Sequence, residues 1–361
     1  TEIYTLSLHD ALPICSYEVL FESPFAWFSQ MWLLKVDEAG EQVWPTRVFG
    51  ETLRDETAWC VAATPDGGYI VAGGQDAPGV DVLNGWLVKT DGEGNEQWNH
   101  RLASESRYGL RWVTPASDGG YWATGGGGWS ASGDPCWVFR TTSAGVPVWT
   151  NNPAGWYSGS GGCWIDETAE GGAVVVGRIN SDIAMYRLGG EGELLSTSRW
   201  SASPALSRSD TPYRARRTLD GGYLIVGDLD VPEPSGYYGS KEAAVIKTGS
   251  EGETHWIEML PGTYKANERA YDAVPLEDGS YVILAYKVPE GEPRSKTPVW
   301  LFRLAPNLPP MATMEWTPRG TVPGVPVRFS GGLSTDRDGS VTLLEWAFGD
   351  GAVAAGVTTE H

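Results

Sequence analysis

A tetrad of the form Asp-Gly-Gly-Tyr recurs along this chain, at Asp66, Asp118, Glu170 (as Glu-Gly-Gly-Ala), Asp220 and Asp278 (as Asp-Gly-Ser-Tyr). The steps between copies are 52, 52, 50 and 58 residues. A second marker, a Gly with Trp four residues on, accompanies it at Gly40/Trp44, Gly94/Trp98, Gly145/Trp149 and Gly252/Trp256. The copy at Gly192 has lost its Trp. Repetition at this period restricts the chain to architectures in which each unit packs on the next.

Local chemistry chooses among them. Each marker Gly stands where two short apolar runs meet, and Asp-Gly or Gly-Asn there favours a hairpin, because Gly accepts positive φ without a Cβ clash. The flanking runs, such as Tyr69 to Gly73, Trp86 to Thr90 and Val245 to Thr248, have the length and the Val, Ile, Trp and Tyr content of strands. No run holds a 3.6-residue period over three turns, which excludes helical solenoids. A four-stranded blade repeated around an axis fits. Strand A leads into the tetrad and strand B leaves it. A long loop reaches strand C, and the Gly-centred hairpin gives strand D. Because antiparallel strands alternate direction, the A–B and C–D hairpins share one face, and the B–C and D–A loops share the other.

The pattern Asp-Gly-Gly-Tyr-Ile-Val-Ala-Gly, then Trp-Leu-Val-Lys-Thr-Asp-x-x-Gly-Asn-x-x-Trp, resembles the repeats of secreted bacterial and archaeal β-propeller proteins, and is similar in plan to kelch and PQQ-type propellers. The resemblance covers roughly residues 15 to 304. It implies fold rather than activity, since propellers host both enzymes and binding platforms.

In chain order, Thr1 to Ile14 resemble the conceptual translation of a sequencing-library adapter and are expected to be foreign to the protein. Without them the charge falls from −20 to −18, with 44 acidic and 26 basic residues. So acidic a surface argues against nucleic-acid partners and membrane surfaces, and no apolar run approaches the length of a membrane span. A partial blade follows over 15–50, with strand C at Trp32 to Val36 and strand D at Gln42 to Val48. Four complete blades are expected at Thr57–Leu102, Gly109–Asn152, Gly162–Trp200 and Thr211–Met259. The last blade supplies strands A, B and C up to Leu304 without a D. The expectation is therefore a propeller of about six four-stranded blades, with seven as the alternative. The repeated Trp residues are assigned to packing between blades.

Ala305 to Pro310 reads as a stiff proline-rich linker. From Met311 to His361, Val327-Arg328-Phe329-Ser330, Ser334-Thr335-Asp336-Arg337-Asp338-Gly339 and Trp346-Ala347-Phe348-Gly349-Asp350-Gly351 resemble a PKD domain. That implies a partial immunoglobulin-like β-sandwich in which Trp346 fills the core and Gly-Asp-Gly turns the chain. The resemblance also implies calcium as a candidate ion, with Asp336 and Asp338 as its ligands. No other cofactor is implied.

Chemistry is otherwise hard to find. His100 and His255 fall on or beside D strands, and no zinc-protease, phosphate-loop or nucleophile-elbow motif occurs. Cys60, Cys136 and Cys163 lack metal-ligand spacing and are expected as free thiols, a Cys136–Cys163 bridge being the alternative. The tetrad Asp residues are expected to bond their own backbone rather than a metal. Arg214, Arg216 and Arg217 lie on an A strand beside the axis, with salt bridges favoured over an external anion. The candidate binding residues are aromatic and sit on the long loops: Trp129, Tyr237 and Tyr238 between B and C strands, and Trp156, Tyr157 and Tyr264 between D and A strands. All six share one face by strand parity, where recognition usually sits. The expected function is a non-enzymatic extracellular or cell-surface platform for carbohydrate or protein, with the PKD-like module as spacer. The alternatives are a propeller enzyme acting on polysaccharide, a quinoprotein, and a structural surface-layer component.

Overall fold

The computed structural model describes residues 2–3, 14–15, 29–37, 39–51, 55–76, 83–102, 109–126, 136–153, 161–201, 210–231, 240–260, 268–287, 299–305, 312–317, 326–334 and 343–361. They contain strands and no helix. The chain forms two compact units, Thr1–Ala273 with Ile283–Leu301, and Val274–Val282 with Phe302–His361.

In the first unit each sequence repeat is one antiparallel sheet. The second sheet pairs Glu56–Ala63, Tyr69–Asp76, Leu83–Thr90 and Glu96–Leu102 in that order. The third pairs Leu110–Pro115, Tyr121–Gly125, Trp137–Thr141 and Pro147–Asn151. The fourth uses Gly161–Glu167, Ala173–Ile179, Asp182–Leu188 and Leu194–Trp200. The fifth uses Thr211–Arg217, Tyr223–Val231, Ser240–Thr248 and Thr254–Met259. A two-stranded first sheet, Met31–Leu33 with Arg47–Phe49, precedes them. A three-stranded sixth, Glu268–Pro275, Tyr281–Lys287 and Val299–Leu304, follows, with part of each strand belonging to the second unit. Glu2–Ile3 also pairs with Ile14–Cys15.

The tetrads make the expected A–B turns. Thr64, Ala116, Thr168, Thr218 and Leu276 each donate their N–H to the carbonyl four residues on. The second marker makes the C–D turn in the same way, as in the Asp91 N–H to Asn95 carbonyl bond, with Gly94 at φ +76°.

The core lies between sheets rather than within any one of them. Ile70, Ala72 and Leu87 of the second sheet pack on Tyr121, Ala123 and Phe139 of the third. Trp122 and Val138 meet Ile165, Val175 and Tyr186 of the fourth, whose other face, with Val174, Val176 and Met185, meets Tyr223, Ile225 and Ile246 of the fifth. The second sheet's Tyr69, Val71, Trp86 and Val88 close on Met31 and Leu33. A sheet sandwiched between neighbours buries both faces, which is why B strands read as continuous apolar runs. The strands nearest the axis converge: the Arg214 guanidinium of the fifth sheet lies 4.4 Å from the ring centroid of Trp112 on the third, passing over the fourth. Radial four-stranded meanders around a common line are a β-propeller. The sixth sheet differs, with Tyr281, Ile283 and Ala285 buried but Val299 and Leu301 71% and 70% exposed.

One connection corrects the sequence reading. In the fourth sheet, strands B and C are joined by a two-residue turn rather than a long loop, with Asn180 at φ +49° and Ser181 at φ +71°. Such turns match strand twist, and Asn is among the few side chains that tolerate that conformation.

In the second unit, Glu315–Thr317, Arg328–Ser330 and Thr358–Glu360 form one sheet, and Glu345–Ala347 with Val353–Ala355 another. Trp346 bridges them, its ring 5.9 Å from Phe329 and its Nε1 donating to the Gly356 carbonyl at 2.9 Å. The Gly-Asp-Gly segment turns as expected, with Phe348 N–H donating to the Ala352 carbonyl and the Ala352 N–H to Asp350 Oδ1.

Candidate functional site

The six aromatic candidates, Trp129, Trp156, Tyr157, Tyr237, Tyr238 and Tyr264, lie outside the described residues, as do Asp336 and Asp338. The strands that deliver those loops are described, and their ends carry a site of their own.

Every A strand enters from the long-loop end, and four of them skip one residue of register there: Trp59, Arg111, Cys163 and Tyr213. Each stands seven residues before its tetrad acid, and Tyr271 holds that position in the sixth sheet. A bulge leaves its extra residue out of the ladder and re-aims its side chain. Here the bulged side chains meet around the axis. The Arg111 guanidinium sits 4.2 Å from the Trp59 ring centroid, and the Tyr213 and Tyr271 rings are 4.7 Å apart. Tyr271 also stacks on Tyr286, 5.4 Å away at 18°, and remains 37% exposed.

A second repeat position, eight residues past the tetrad acid, reads Gly74, Gly126, Arg178, Asp228 and Tyr286. Where it is Gly, backbones touch: a β-carbon on Gly109 would stand 2.8 Å from Gly74 Cα. Where it carries a side chain, the seam is polar. Asp228 is fully buried and accepts from Tyr213 Oη at 2.8 Å and Lys241 Nζ at 2.5 Å, with Arg269 Nε 3.5 Å away. Burial pushes its carboxyl up, against the opposing pull of Lys241. Burial, and then the Asp228 charge, raise the Tyr213 phenol. Asp210, also fully buried, has its carboxyl raised by burial, and its Oδ1 accepts the Asp230 N–H at 2.7 Å. Ser201 bonds the same carboxyl, and the Trp59 Nε1 is buried with no hydrogen-bond partner among the described residues.

Arg214, Arg216 and Arg217 are each drawn into an ion pair, Arg214 with its Nε 3.9 Å from Asp272. Arg216 grips Asp272 through two bonds of 3.2 and 2.9 Å, and Arg217 Nε lies 3.1 Å from Asp166. Cys60, Cys136 and Cys163 are free thiols. Burial pushes Cys60 up to about 11 and the other two up to about 12, so none is a ready nucleophile. The tetrad carboxylates do structural work at the opposite face. Asp66 Oδ1 accepts from the Gly68 N–H at 3.1 Å and its Oδ2 lies 2.8 Å from Lys89 Nζ, an arrangement that Asp220 repeats with Gly222 and Lys247. Among the described residues no group of three or more His, Cys, Asp or Glu is placed to hold a metal ion.

Sequence comparison bears on the second unit. Residues 307–361 match the PKD domain family. The PKD domain thus begins within the proline-rich segment. No curated protein matches the chain. Among solved structures the chain is similar to a protein of unknown function from Bacteroides caccae, at 14% identity over 76% of this chain and 86% of that one, with a TM-score of 0.45. It is similar to the Dos1 propeller at 10% identity, over 97% and 88%, with a TM-score of 0.45. It is also similar to an endo-arabinase from Bacteroides thetaiotaomicron at 11% identity, over 70% and 95%, with a TM-score of 0.37.

The bulge ring and the polar seam escaped sequence reasoning. Aligning the five repeats on their tetrads gathers both sets, at the seventh residue before the tetrad acid and the eighth after it.

Proposed function

We propose that the chain is a non-enzymatic extracellular or cell-surface platform that holds a carbohydrate at the long-loop end of its propeller, with the PKD domain as spacer. The observation that carries this reading is Tyr271: a partly exposed aromatic ring held against Tyr213 and Tyr286, next to the buried Tyr213–Asp228 hydrogen bond. A sugar offers an apolar ring face edged by hydroxyls. A fixed tyrosine ring with the Arg269 guanidinium close by, 6.0 Å from the Tyr213 ring and 5.8 Å from the Tyr286 ring, supplies the matching surface at little ordering cost. Strand-end bulges hold it on the rigid part of the scaffold.

A glycan array probed with the whole chain tests the reading. Binding that Tyr271→Ala abolishes, with an unchanged melting temperature, supports it; an array without signal rejects it, and selective capture of a protein assigns the platform to protein instead.

A specific observation favours a second reading, a polysaccharide hydrolase. Asp228 and Asp210 are both fully buried, and Asp210 accepts the N–H of Asp230, two residues on from Asp228, so two buried carboxyls share one part of the fifth sheet. Release of reducing ends from a bound polysaccharide, lost in Asp228→Asn, would establish it; intact polymer after prolonged incubation leaves the platform.

A further inference from the structure

The fifth and sixth sheets meet through touching tyrosines. The Tyr213 and Tyr271 ring centroids are 4.7 Å apart with their planes at 46°, and Tyr271 stacks on Tyr286 at 5.4 Å. Tyr271 is 37% exposed and is the ring that solvent reaches. Tyr213 is half-buried, and its Oη donates to Asp228 Oδ2 at 2.8 Å. A phenol gives up an electron far more readily when its proton leaves with it, and that hydrogen bond supplies the path. The radical so formed is spread onto the ring carbons ortho to the oxygen, and these are the atoms at which neighbouring phenols couple.

We propose that Tyr213 and Tyr271 are a site of oxidative cross-linking, joined carbon to carbon as dityrosine by a peroxidase acting with hydrogen peroxide. The first electron is drawn from the exposed Tyr271 and replaced from Tyr213, whose proton passes to Asp228; a second is then drawn from Tyr271, whose proton passes to solvent. An ortho carbon of one ring bonds to an ortho carbon of the other. The hydrogen displaced from each carbon returns as a proton to the oxygen of its ring and restores the phenol. The peroxide takes up the two electrons and two protons and leaves as two molecules of water. The Tyr271–Tyr286 pair is wider and lies within one sheet, whereas this bond ties neighbouring sheets and closes a loop of 58 residues. A cross-link of that kind stabilises the fold by restricting the unfolded chain. The sixth sheet gains most from it, since Val299 and Leu301 of its third strand are exposed where Ala243 and Val245 of the fifth are buried. The inference stands apart from the glycan reading and holds whether or not a sugar binds.

The test adds a haem peroxidase and hydrogen peroxide to the whole chain in dilute solution, with N-acetyltyrosinamide in a parallel reaction to show that the oxidant works. The blue fluorescence of dityrosine should appear in the monomer band of a denaturing gel. A tryptic pair joining residues 209–214 to residues 270–287 should carry it, and the linked chain should melt at a higher temperature than the unlinked one. Tyr213→Phe and Tyr271→Phe should each lose the fluorescence and the linked pair, whereas Tyr286→Phe should keep both. Circular dichroism melts before oxidation identify any variant that fails to fold, and the peptide map of the native chain stands without the variants. A native chain that forms no internal link while the free amide couples overturns the inference. So does a link that maps to Tyr286 in place of Tyr213, or a linked chain that melts no higher than the unlinked one.

Discussion

The indole of Trp98 lies against Gly145 of the following sheet, so closely that a β-carbon at Gly145 would stand 2.5 Å from the ring. Trp44 covers Gly94 and Trp149 covers Gly192 in the same way. The two sequence markers are therefore one device: the Trp of each D strand seats on the C–D turn of the next sheet, and that turn must be Gly both for its positive φ and for its bare surface. Gly67, at φ +80°, needs only the first property, since nothing lies within 4 Å of its missing side chain. Gly67→Ala should cost about 1–2 kcal/mol for the left-handed backbone. Gly145→Ala should add about 1–3 kcal/mol of overpacking. Urea titration of the two variants measures the difference, and equal losses would remove the Trp98 contact from the account.

The fourth sheet has Ser196 where the repeat places its D-strand Trp, and its neighbour's turn is still covered. A β-carbon on Gly252 would meet Met185 Cε and Ser198 Oγ, each at 2.6 Å. Met185 is buried and belongs to the core shared by the fourth and fifth sheets. Its unbranched side chain fills a gap that the indole fills elsewhere. Met185→Ala should cost about 2–5 kcal/mol, the range for emptying a packed site. Thermal unfolding decides it; a loss below about 1 kcal/mol would mean the seam collapses without Met185.

Acid should loosen the tetrad face first. Burial alone would raise Asp66, but bonds from Lys89, Thr64 and Gly68 outweigh it and hold the carboxyl at about 2; Asp220 is held at about 2 by Lys247, Thr218 and Gly222. A carboxyl depressed on folding stabilises fully above its unfolded value near 4, and that contribution fades as the pH falls toward 2. Both side chains are more than half exposed, so each pair is worth at most about 1 kcal/mol. Asp228, raised by burial, acts in the opposite sense, because its charge opposes folding until it takes up a proton. The double variant Asp66→Asn/Asp220→Asn should flatten the loss of stability between pH 4 and pH 2. An unchanged acid limb in a pH series of urea melts would place the acid sensitivity elsewhere.

What the sequence shows plainly are the parts fixed by short-range chemistry. Asp-Gly-Gly-Tyr must turn, alternating apolar runs must pair, and a Gly four residues before a Trp marks a seam; all three appear where the repeat places them. The bulges were hidden because a strand read at period two gives no sign that Tyr213 or Arg111 is surplus to the ladder; only the partner strand's register reveals it. The polar seam was hidden for a related reason. Asp228 follows the apolar run Leu224–Gly227, but the strand continues to Val231, and only the fold brings Lys241 and Tyr213 to its carboxylate. The turn at Asn180–Ser181 was masked by expecting the long loop of the other copies, although Asn-Ser between Ile179 and Asp182 is compatible with a tight hairpin. The loop aromatics were legible as residue types, but residue type does not fix a loop's course.

The Asp228 network links stability to the site. Its carboxylate is fully buried and is held by Lys241 and Tyr213. Removing one partner of a buried pair strands the other, and Asp228→Ala should cost about 3–5 kcal/mol. Replacing both charges with apolar groups avoids that penalty, so Asp228→Leu/Lys241→Met should recover at least half of the loss in a urea melt. The recovered protein should nonetheless bind glycan poorly, because Tyr213 loses the acceptor that fixes its hydroxyl and with it the brace for Tyr271. A double variant that is both stable and fully competent in glycan binding would separate the network from the platform and reduce Asp228 to a structural ion pair.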